Sequence, residues 1–219
     1  MNDKFPVTRG STAIIVIDMT NDFIAPGAPY ESEQGRQMIP RLNLLLDRCR
    51  ELHMPVIFTV HSHRGDGSDI GCVANLHPMT RDGLALKEGT PGVDLYPDMA
   101  PQRGDYTVQK LRYSAFYCTD LEVLLRNLAI DTVIISGVAT NICCESTARD
   151  AFFRDYKVVF LSDGNATIDM PDNGWGSLKA EDVHRNTLIT IAFGFGRVAS
   201  IAEVMDELSA AATTAGTAR

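Results

Sequence analysis

Four short runs of apolar, β-branched residues place the tightest limit on how this chain can fold. The first covers residues 12–18 and ends in the carboxylate of Asp18, and similar runs cover residues 56–60, 132–136 and 157–161. Their apolar residues follow one another without regular polar alternation. A strand of this kind is buried on both faces, which is typical of parallel sheets covered by helices on each side.

Segments with the leucine spacing of amphipathic helices lie between these runs. The patterns predict helices over 39–53, 120–128, 142–156 and 180–193, further strands over 105–110 and 197–200, and a final helix. Alternating strands and helices favour right-handed crossovers. We therefore expect a single domain over residues 1–219 with an α/β fold: a three-layer, doubly wound, mostly parallel six-stranded sheet with helices on both faces. The termini, about 1–10 and 210–219, are expected to be flexible.

The net charge and the cysteines exclude several classes of function. A formal net charge of −8 leaves no basic stripe for nucleic acid or an anionic membrane. The sequence contains no apolar run as long as a membrane span and no secretory signal at its start. The five cysteines are odd in number and two are adjacent, which is a poor disulfide framework. We expect a cytoplasmic protein with reduced thiols that binds neither nucleic acid nor membranes.

Three chemically distinct side chains follow strands at the same predicted edge of the sheet. Asp18 ends the first strand, Lys110 ends the third, and Cys143 follows the fourth, in the turn that opens a helix. Ligands of doubly wound folds bind beyond the carboxyl ends of the strands. A carboxylate, an ammonium and a thiol are therefore expected to meet there. The stretch 61–104, which is longer than a crossover needs, is expected to build or cover this site.

Each of these residues also has a structural interpretation when it is considered alone. Asp18 could have no role beyond capping a strand end, and Lys110 could be a solvated residue at a strand end. A cysteine is by default an inert buried residue, and we expect this of Cys49, Cys72 and Cys118. Cys144 begins a stripe of small residues that suits the core, whereas Cys143 begins a polar face. A helix N-terminus and a nearby lysine would lower the pKa of the Cys143 thiol.

Three sequence blocks resemble the isochorismatase-like cysteine hydrolases. The residues 137–151 (GVATNICCESTARDA) are similar to the nucleophile motif of that family, with Cys144 in the place of a valine, and residues 17–23 and 110–116 match as well. The resemblance implies that Asp18, Lys110 and Cys143 are catalytic. It also implies a cis peptide at Val138-Ala139 and an oxyanion hole formed by the amides of Ala139 and Cys143. Because they lie beside these motifs in sequence, Phe23, Arg112, Tyr113 and Asn141 are the expected residues of the substrate pocket.

The same resemblance implies a reaction. The blocks are most similar to the branch that acts on ureido compounds such as biuret, triuret, ureidoacrylate and N-carbamoyl compounds. We therefore expect hydrolysis of a C–N bond through a thioester, with release of ammonia or an amine. The resemblance further implies a homo-oligomer, a tetramer or a dimer. An arginine, Arg112 or Arg64, is the expected partner if the substrate carries a carboxylate.

Other functions remain open from the sequence. A nicotinamidase-like amidase would have a metal bound after the second strand, where this chain offers His61, His63 and Asp66. Their spacing differs from that of the nicotinamidase site and a surface histidine pair is usually solvated, so no metal or other cofactor is expected. A non-catalytic binding protein of the same fold, or a redox sensor that uses Cys143 and Cys144, would leave Asp18 and Lys110 without a role.

Overall fold

A six-stranded sheet forms the centre of the fold, as the apolar runs predict. The computed structural model describes residues 4–99 and 101–216, with side chains described up to residue 210. Every strand pair is parallel, and the strand order is β3-β2-β1-β4-β5-β6. The predicted fold class is confirmed, with an entirely parallel sheet. The strands are β1 (Thr12–Ile17), β2 (Val56–His61), β3 (Tyr106–Lys110), β4 (Thr132–Val138), β5 (Lys157–Ala166) and β6 (Arg197–Ala199).

Helices connect the strands and cover both faces of the sheet. They are α1 (Asn21–Ile24), α2 (Glu33–Glu51), α3 (Val73–Leu76), α4 (Pro78–Arg81), α5 (Leu121–Asn127), α6 (Glu145–Phe152), α7 (Ala180–Gly194) and α8 (Ile201–Gly216). In the described part of the chain, none of them combines the length and the apolar character that crossing a bilayer requires. The terminal segment 210–219 continues as α8 up to Gly216, whereas residues 217–219 and 1–3 lie outside the described residues.

Alternate residues of the central strands pack into two separate cores. Ile14 of β1 lies in one core with Leu45 of α2 and Val204 of α8. Ile15, the next residue along β1, lies in the other core with Leu125 of α5. All five are buried. Burial on both faces explains why the strand sequences are apolar throughout.

Helix α2 begins earlier than residues 39–53, the range predicted from leucine spacing. Ser32 caps its start, because the Ser32 hydroxyl oxygen accepts a hydrogen bond from the Gly35 amide at 3.1 Å. The helix then continues through Pro40, which lacks an amide hydrogen. The prediction rested on leucine spacing alone and missed the serine cap at position 32.

The order of the strands reverses between β1 and β4, at the centre of the sheet. Ile17 pairs with Gly137 there. Gly137 has φ +125°, and a β-carbon on it would collide with the backbone carbonyl of Ile17. Only glycine satisfies both the dihedral angle and the close approach. Because Asp18 follows β1 and Cys143 follows β4, this reversal point brings them to adjacent strand ends.

Candidate active site

Asp18, Lys110 and Cys143 meet at the carboxyl edge of the sheet. The Lys110 Nζ atom lies 2.7 Å from a carboxylate oxygen of Asp18 and donates a hydrogen bond to Cys143 Sγ at 3.4 Å. The Asp18 and Lys110 side chains are fully buried, and Cys143 is 3% exposed. The ammonium therefore contacts the carboxylate and the sulfur at the same time.

The charges of this group compensate one another in a buried environment. Burial by itself would lower the pKa of Lys110, but the charges of Asp18 and Cys143 outweigh it and raise that pKa. Burial raises the pKa of the Cys143 thiol to about 12, although the Lys110 ammonium opposes the rise. The expectation of a lowered thiol pKa is wrong, because desolvation and the nearby Asp18 carboxylate oppose ionisation. Burial therefore favours the neutral thiol of Cys143 over the thiolate.

Backbone and side-chain contacts hold the carboxylate and the ammonium in place. Asp18 adopts a left-handed conformation with φ +54°, and its amide donates to the carbonyl of Thr59 at 3.2 Å. The Thr59 hydroxyl donates to the second carboxylate oxygen of Asp18 at 2.9 Å. Lys110 also donates to the backbone carbonyl of Arg112 at 3.1 Å. These contacts direct one carboxylate oxygen toward the ammonium.

Cys143 lies in a π-helical turn, Thr140–Cys144, between β4 and α6. The peptide bond between Val138 and Ala139 is cis, at the position implied by the resemblance. The carbonyl of Ala139 then accepts hydrogen bonds from the amides of Ile142 and Cys144, both at 3.1 Å. Ala139 and Cys143 face the same cavity. Because of this turn, Cys143 lines the cavity whereas its neighbour Cys144 does not.

Cys144 lies in the core beneath the turn, as its stripe of small residues predicts. It packs in the same apolar cluster as Ala148 and Ala151, and all three are 0% exposed. Cys49 is also buried, and burial raises the pKa of its thiol to about 12. Cys72 and Cys118 are exposed, so their prediction as buried residues is wrong. Both occur in connecting segments on the surface.

A cavity of about 360 Å³ opens above Cys143. Two connecting segments supply most of its wall. The stretch after β2, expected to build or cover the site, contributes Val73, Leu76, His77, Thr80 and Leu86, and the segment after β5 contributes Thr167, Ile168, Asp169, Met170, Pro171 and Asn173. The remaining lining residues are Phe23, Tyr30, Ser32, His61, Tyr113, Val138, Ala139, Ile142 and Cys143. The wall is mainly apolar and aromatic.

Two of the four predicted pocket residues line this cavity. Phe23 and Tyr113 do so, and Phe23 stacks on Tyr30 with ring centroids 5.6 Å apart. Arg112 does not, because its guanidinium donates to the backbone carbonyls of Asp69 and Leu111. Asn141 does not either, and its side-chain oxygen accepts a hydrogen bond from Thr167 at 2.6 Å. Both were proposed from their proximity to the motifs in sequence, which does not determine where their side chains point.

The histidine pair after the second strand is buried rather than solvated. His61 and His63 are 2% and 1% exposed, and their rings stack edge to face with centroids 5.0 Å apart. Asp66 is exposed and its carboxylate accepts a hydrogen bond from the Ser68 amide. Arg64 lies in a different surface cleft. The residues that the sequence suggested as a nicotinamidase-like metal site are therefore not brought together.

A different set of donor atoms does converge. A ring nitrogen of His61, a carboxylate oxygen of Asp18 and the sulfur of Cys143 lie within 4.8 Å of one another. The Lys110 ammonium already contacts the carboxylate and the sulfur. A divalent cation placed among these atoms would lie beside a buried positive charge, which is costly. This set does not fit a metal as it stands.

Two further residues of the site were not predicted in the roles that the structure gives them. Thr59, which binds Asp18, is a polar residue inside an apolar strand, and that interruption was a usable signal. His61 was considered only as a metal ligand, although it follows Thr59 by two residues and lies on the same edge of the sheet. The wall residues Tyr30 and Met170 carry no sequence signal, because they come from irregular segments.

The comparisons with known proteins agree with this geometry. The Isochorismatase domain family matches residues 12–203. The chain belongs to the isochorismatase family. A cysteine hydrolase from Pseudomonas syringae pv. phaseolicola 1448A is 39% identical in sequence and superposes with a TM-score of 0.91 over 96% of this chain and 100% of that one. This chain is accordingly an isochorismatase-family cysteine hydrolase.

Curated relatives within the family differ in substrate. Nicotinamidase 3 of Arabidopsis thaliana is 32% identical over 185 residues, which cover 84% of this chain and 81% of that protein. A ureidoacrylate amidohydrolase of Pantoea ananatis is also 32% identical, over 71% of this chain and 69% of its own length. Similarity of this size identifies the family and does not discriminate between an aromatic amide and a ureide.

Proposed function

We propose that this protein is a cysteine-dependent amidohydrolase that cleaves a C–N bond of a small, uncharged urea derivative. One observation carries the proposal: the Lys110 ammonium contacts both the Asp18 carboxylate and the Cys143 sulfur at the bottom of a cavity. This arrangement supplies a base, a nucleophile and a fixed positive charge within reach of one bound carbonyl group.

The thiol needs a base because it is neutral in the resting enzyme. Asp18 accepts the Cys143 proton as the sulfur attacks the carbonyl carbon and the C–S bond forms. The amides of Ala139 and Cys143 stabilise the oxyanion, a contribution of about 3–4 kcal/mol per donor. Protonated Asp18 then gives its proton to the leaving nitrogen, the C–N bond breaks, and ammonia or an amine departs.

A thioester on Cys143 remains after the first half of the reaction. Asp18, again a carboxylate, accepts a proton from a water molecule that attacks the thioester carbonyl. The C–S bond breaks, the proton returns to the sulfur, and the acid product leaves. Lys110 keeps its charge throughout and compensates the negative charge, which moves between the carboxylate and the sulfur.

The lining of the cavity supports an uncharged substrate. Among the residues described, no arginine and no lysine lines the cavity, and the Asp169 carboxylate in its wall is paired with the Lys179 ammonium at 2.7 Å. A substrate with a carboxylate group would find no cationic partner there. We therefore expect biuret and triuret to be hydrolysed faster than ureidoacrylate or N-carbamoylsarcosine.

Nicotinamide is the second candidate substrate. The aromatic rings of Phe23, Tyr30 and Tyr113 line the cavity and offer faces on which an aromatic amide could stack. Initial rates of ammonia release from the four ureides and from nicotinamide, measured at equal concentration, distinguish the two candidates.

The nucleophile is tested by a pair of substitutions at adjacent positions. Cys143→Ala should abolish ammonia release, and Cys144→Ala should retain it because Cys144 packs in the core. Mass spectrometry of acid-quenched enzyme should find the acyl group on the peptide containing Cys143, in the parent and in Cys144→Ala. Turnover by Cys143→Ala near the parent rate would refute the mechanism. A parent protein without activity on any amide would favour a non-catalytic binding protein.

Self-association is a separate part of the proposal. Phe153 and Phe193 are 67% and 94% exposed. Large exposed apolar side chains of this kind are common at subunit contacts. We expect a dimer or tetramer by light scattering, and conversion to smaller species on Phe193→Ser.

A further inference from the structure

His61 lies at the bottom of the cavity next to the three reacting side chains. It is the last residue of β2 and pairs in register with Lys110 of β3. Its ring lines the cavity, and one ring nitrogen is within 4.8 Å of both the Cys143 sulfur and an Asp18 carboxylate oxygen. The mechanism proposed above assigns no task to this side chain.

The hydrogen bonds of the ring determine which nitrogen carries the proton. The backbone carbonyl of Leu111 accepts a hydrogen bond from the ring, whereas Nε2 is buried and has no hydrogen-bond partner among the described residues. Burial lowers the pKa of His61 well below its ordinary value, and the Lys110 ammonium lowers it further. The neutral ring therefore has its proton on Nδ1 and a free lone pair on Nε2.

We infer that His61 is a substrate-binding residue whose Nε2 atom accepts a hydrogen bond from an N–H group of the leaving nitrogen, so that the site selects amides and ureides over esters. This inference rests on the proposed amidohydrolase function and adds the group that recognises the substrate nitrogen.

The reaction geometry brings such an N–H group to the histidine. In a reactive complex the carbonyl carbon lies about 3–3.5 Å from the attacking sulfur. A nitrogen bonded to that carbon remains close to the sulfur, in the space that the His61 ring borders. A buried acceptor without a partner is unfavourable, and an amide N–H satisfies it. An ester places an oxygen there, whose lone pairs face the lone pair of Nε2.

His63 provides a matched control for this inference. It is also a buried histidine, only two residues further along the chain, but it does not line the cavity and its Nδ1 lies 3.4 Å from Asp69. A general effect of replacing a buried histidine should therefore be seen at both positions. An effect on substrate selection should be seen at His61 alone.

The test compares an amide with the ester of the same acyl group. Biuret and methyl allophanate form one pair, and nicotinamide and methyl nicotinate form the other; ammonia and methanol release are measured. His61→Phe keeps a ring and removes the acceptor, and His61→Gln restores an acceptor oxygen. Circular dichroism checks the fold, and His61→Leu replaces the phenylalanine variant if that one does not fold.

For His61→Phe we expect kcat/KM for the amide to fall about 100-fold or more, because the substrate N–H group would be buried without a hydrogen-bond acceptor. The ester should lose no more than about fivefold, and His61→Gln should recover at least about a tenth of the parent amide activity. The amide-to-ester ratio of His63→Gln should stay within about twofold of the parent ratio.

Three outcomes would overturn the inference while leaving the amidohydrolase proposal intact. Amide and ester activities could fall together in His61→Phe, or His61→Gln could lose selectivity as completely as His61→Phe. Alternatively, chelation could abolish the parent activity and zinc restore it, in which case the ring serves a metal. Failure of the amidohydrolase proposal itself would be recognised separately, as absence of parent amide hydrolysis or its persistence in Cys143→Ala.

Discussion

The bottom of the cavity and its wall differ in composition, in origin and in burial. The bottom is formed by Cys143, which lines the cavity, and by Asp18 and Lys110, which lie behind it and do not line it. These three residues are charged or polar, almost completely buried, and supplied by strand ends and by the turn after β4. The wall is apolar and aromatic, partly open to solvent and supplied mainly by connecting segments, as Leu76 and Met170 illustrate. The difference separates reactivity, which depends on fixed charges in the sheet, from substrate choice, which depends on replaceable loops.

The largest effect should follow removal of the buried ammonium. Lys110→Met leaves the Asp18 carboxylate buried without its ion-pair partner, so we expect a loss of about 3–5 kcal/mol in the free energy of unfolding. kcat should fall about 1000-fold or more. Urea denaturation and ammonia release measure the two quantities.

Lys157→Met is the control, because it removes an ion pair of the same length from the surface. Lys157 and Asp131 are 2.7 Å apart, and their side chains are 45% and 50% exposed. That substitution should cost less than about 1 kcal/mol. Equal losses in the two variants would remove the distinction between buried and exposed charges.

A smaller effect is expected from the hydrogen bond that orients the base. Thr59→Val removes the hydroxyl that donates to Asp18 but keeps the shape of the side chain. A hydrogen bond to a charged group contributes about 1.5–3 kcal/mol, so kcat should fall about 10- to 100-fold. The value of KM should change little, because Thr59 does not line the cavity. A change confined to KM would mean that Thr59 belongs functionally to the wall.

Alkaline pH should weaken the fold through the buried thiol. The pKa of Cys143 is raised from 9.0 to about 12 in the folded protein. Between these pH values the folded state holds a proton that the unfolded state has lost. The contribution of this thiol to the free energy of unfolding is therefore fully present below pH 9 and decreases as pH rises toward 12. From pH 8 to pH 10, Cys143→Ala should lose about 1.4 kcal/mol less than the parent.

Cys118→Ala serves as the control for this pH dependence, because Cys118 is exposed. Its unfolding free energy should follow the parent curve between pH 8 and pH 10. Identical curves for Cys143→Ala and the parent would contradict the protonated resting thiol on which the role of Asp18 as a base depends.

The smallest effect should come from the wall. Phe23→Ala removes an aromatic ring that is only partly buried, so we expect about a fivefold increase in KM and less than a twofold change in kcat. Steady-state kinetics on the best substrate of the panel measure both. A large decrease in kcat at unchanged KM would show that the wall also takes part in the chemistry.

The sequence predicted the bottom of the cavity far better than its wall. Sequence patterns locate strands, and parallel strands end at one edge of the sheet, so the sequence alone places Asp18 and Lys110 together. The wall depends on irregular segments and on β5, which extends to Ala166 rather than ending at residue 161. No periodicity indicates where such segments turn, and Arg112 was therefore assigned to the pocket although its side chain points elsewhere.

The glycine at position 137 has a consequence for the spacing between base and nucleophile. Its backbone meets that of Ile17 without an intervening side chain, so two main chains determine how β1 and β4 align. The separation of Asp18 from the turn that carries Cys143 is thus set by the contact between two backbones and does not depend on the size of any side chain. The loops around the opening of the cavity can therefore change in sequence while the distance between the base and the nucleophile stays the same.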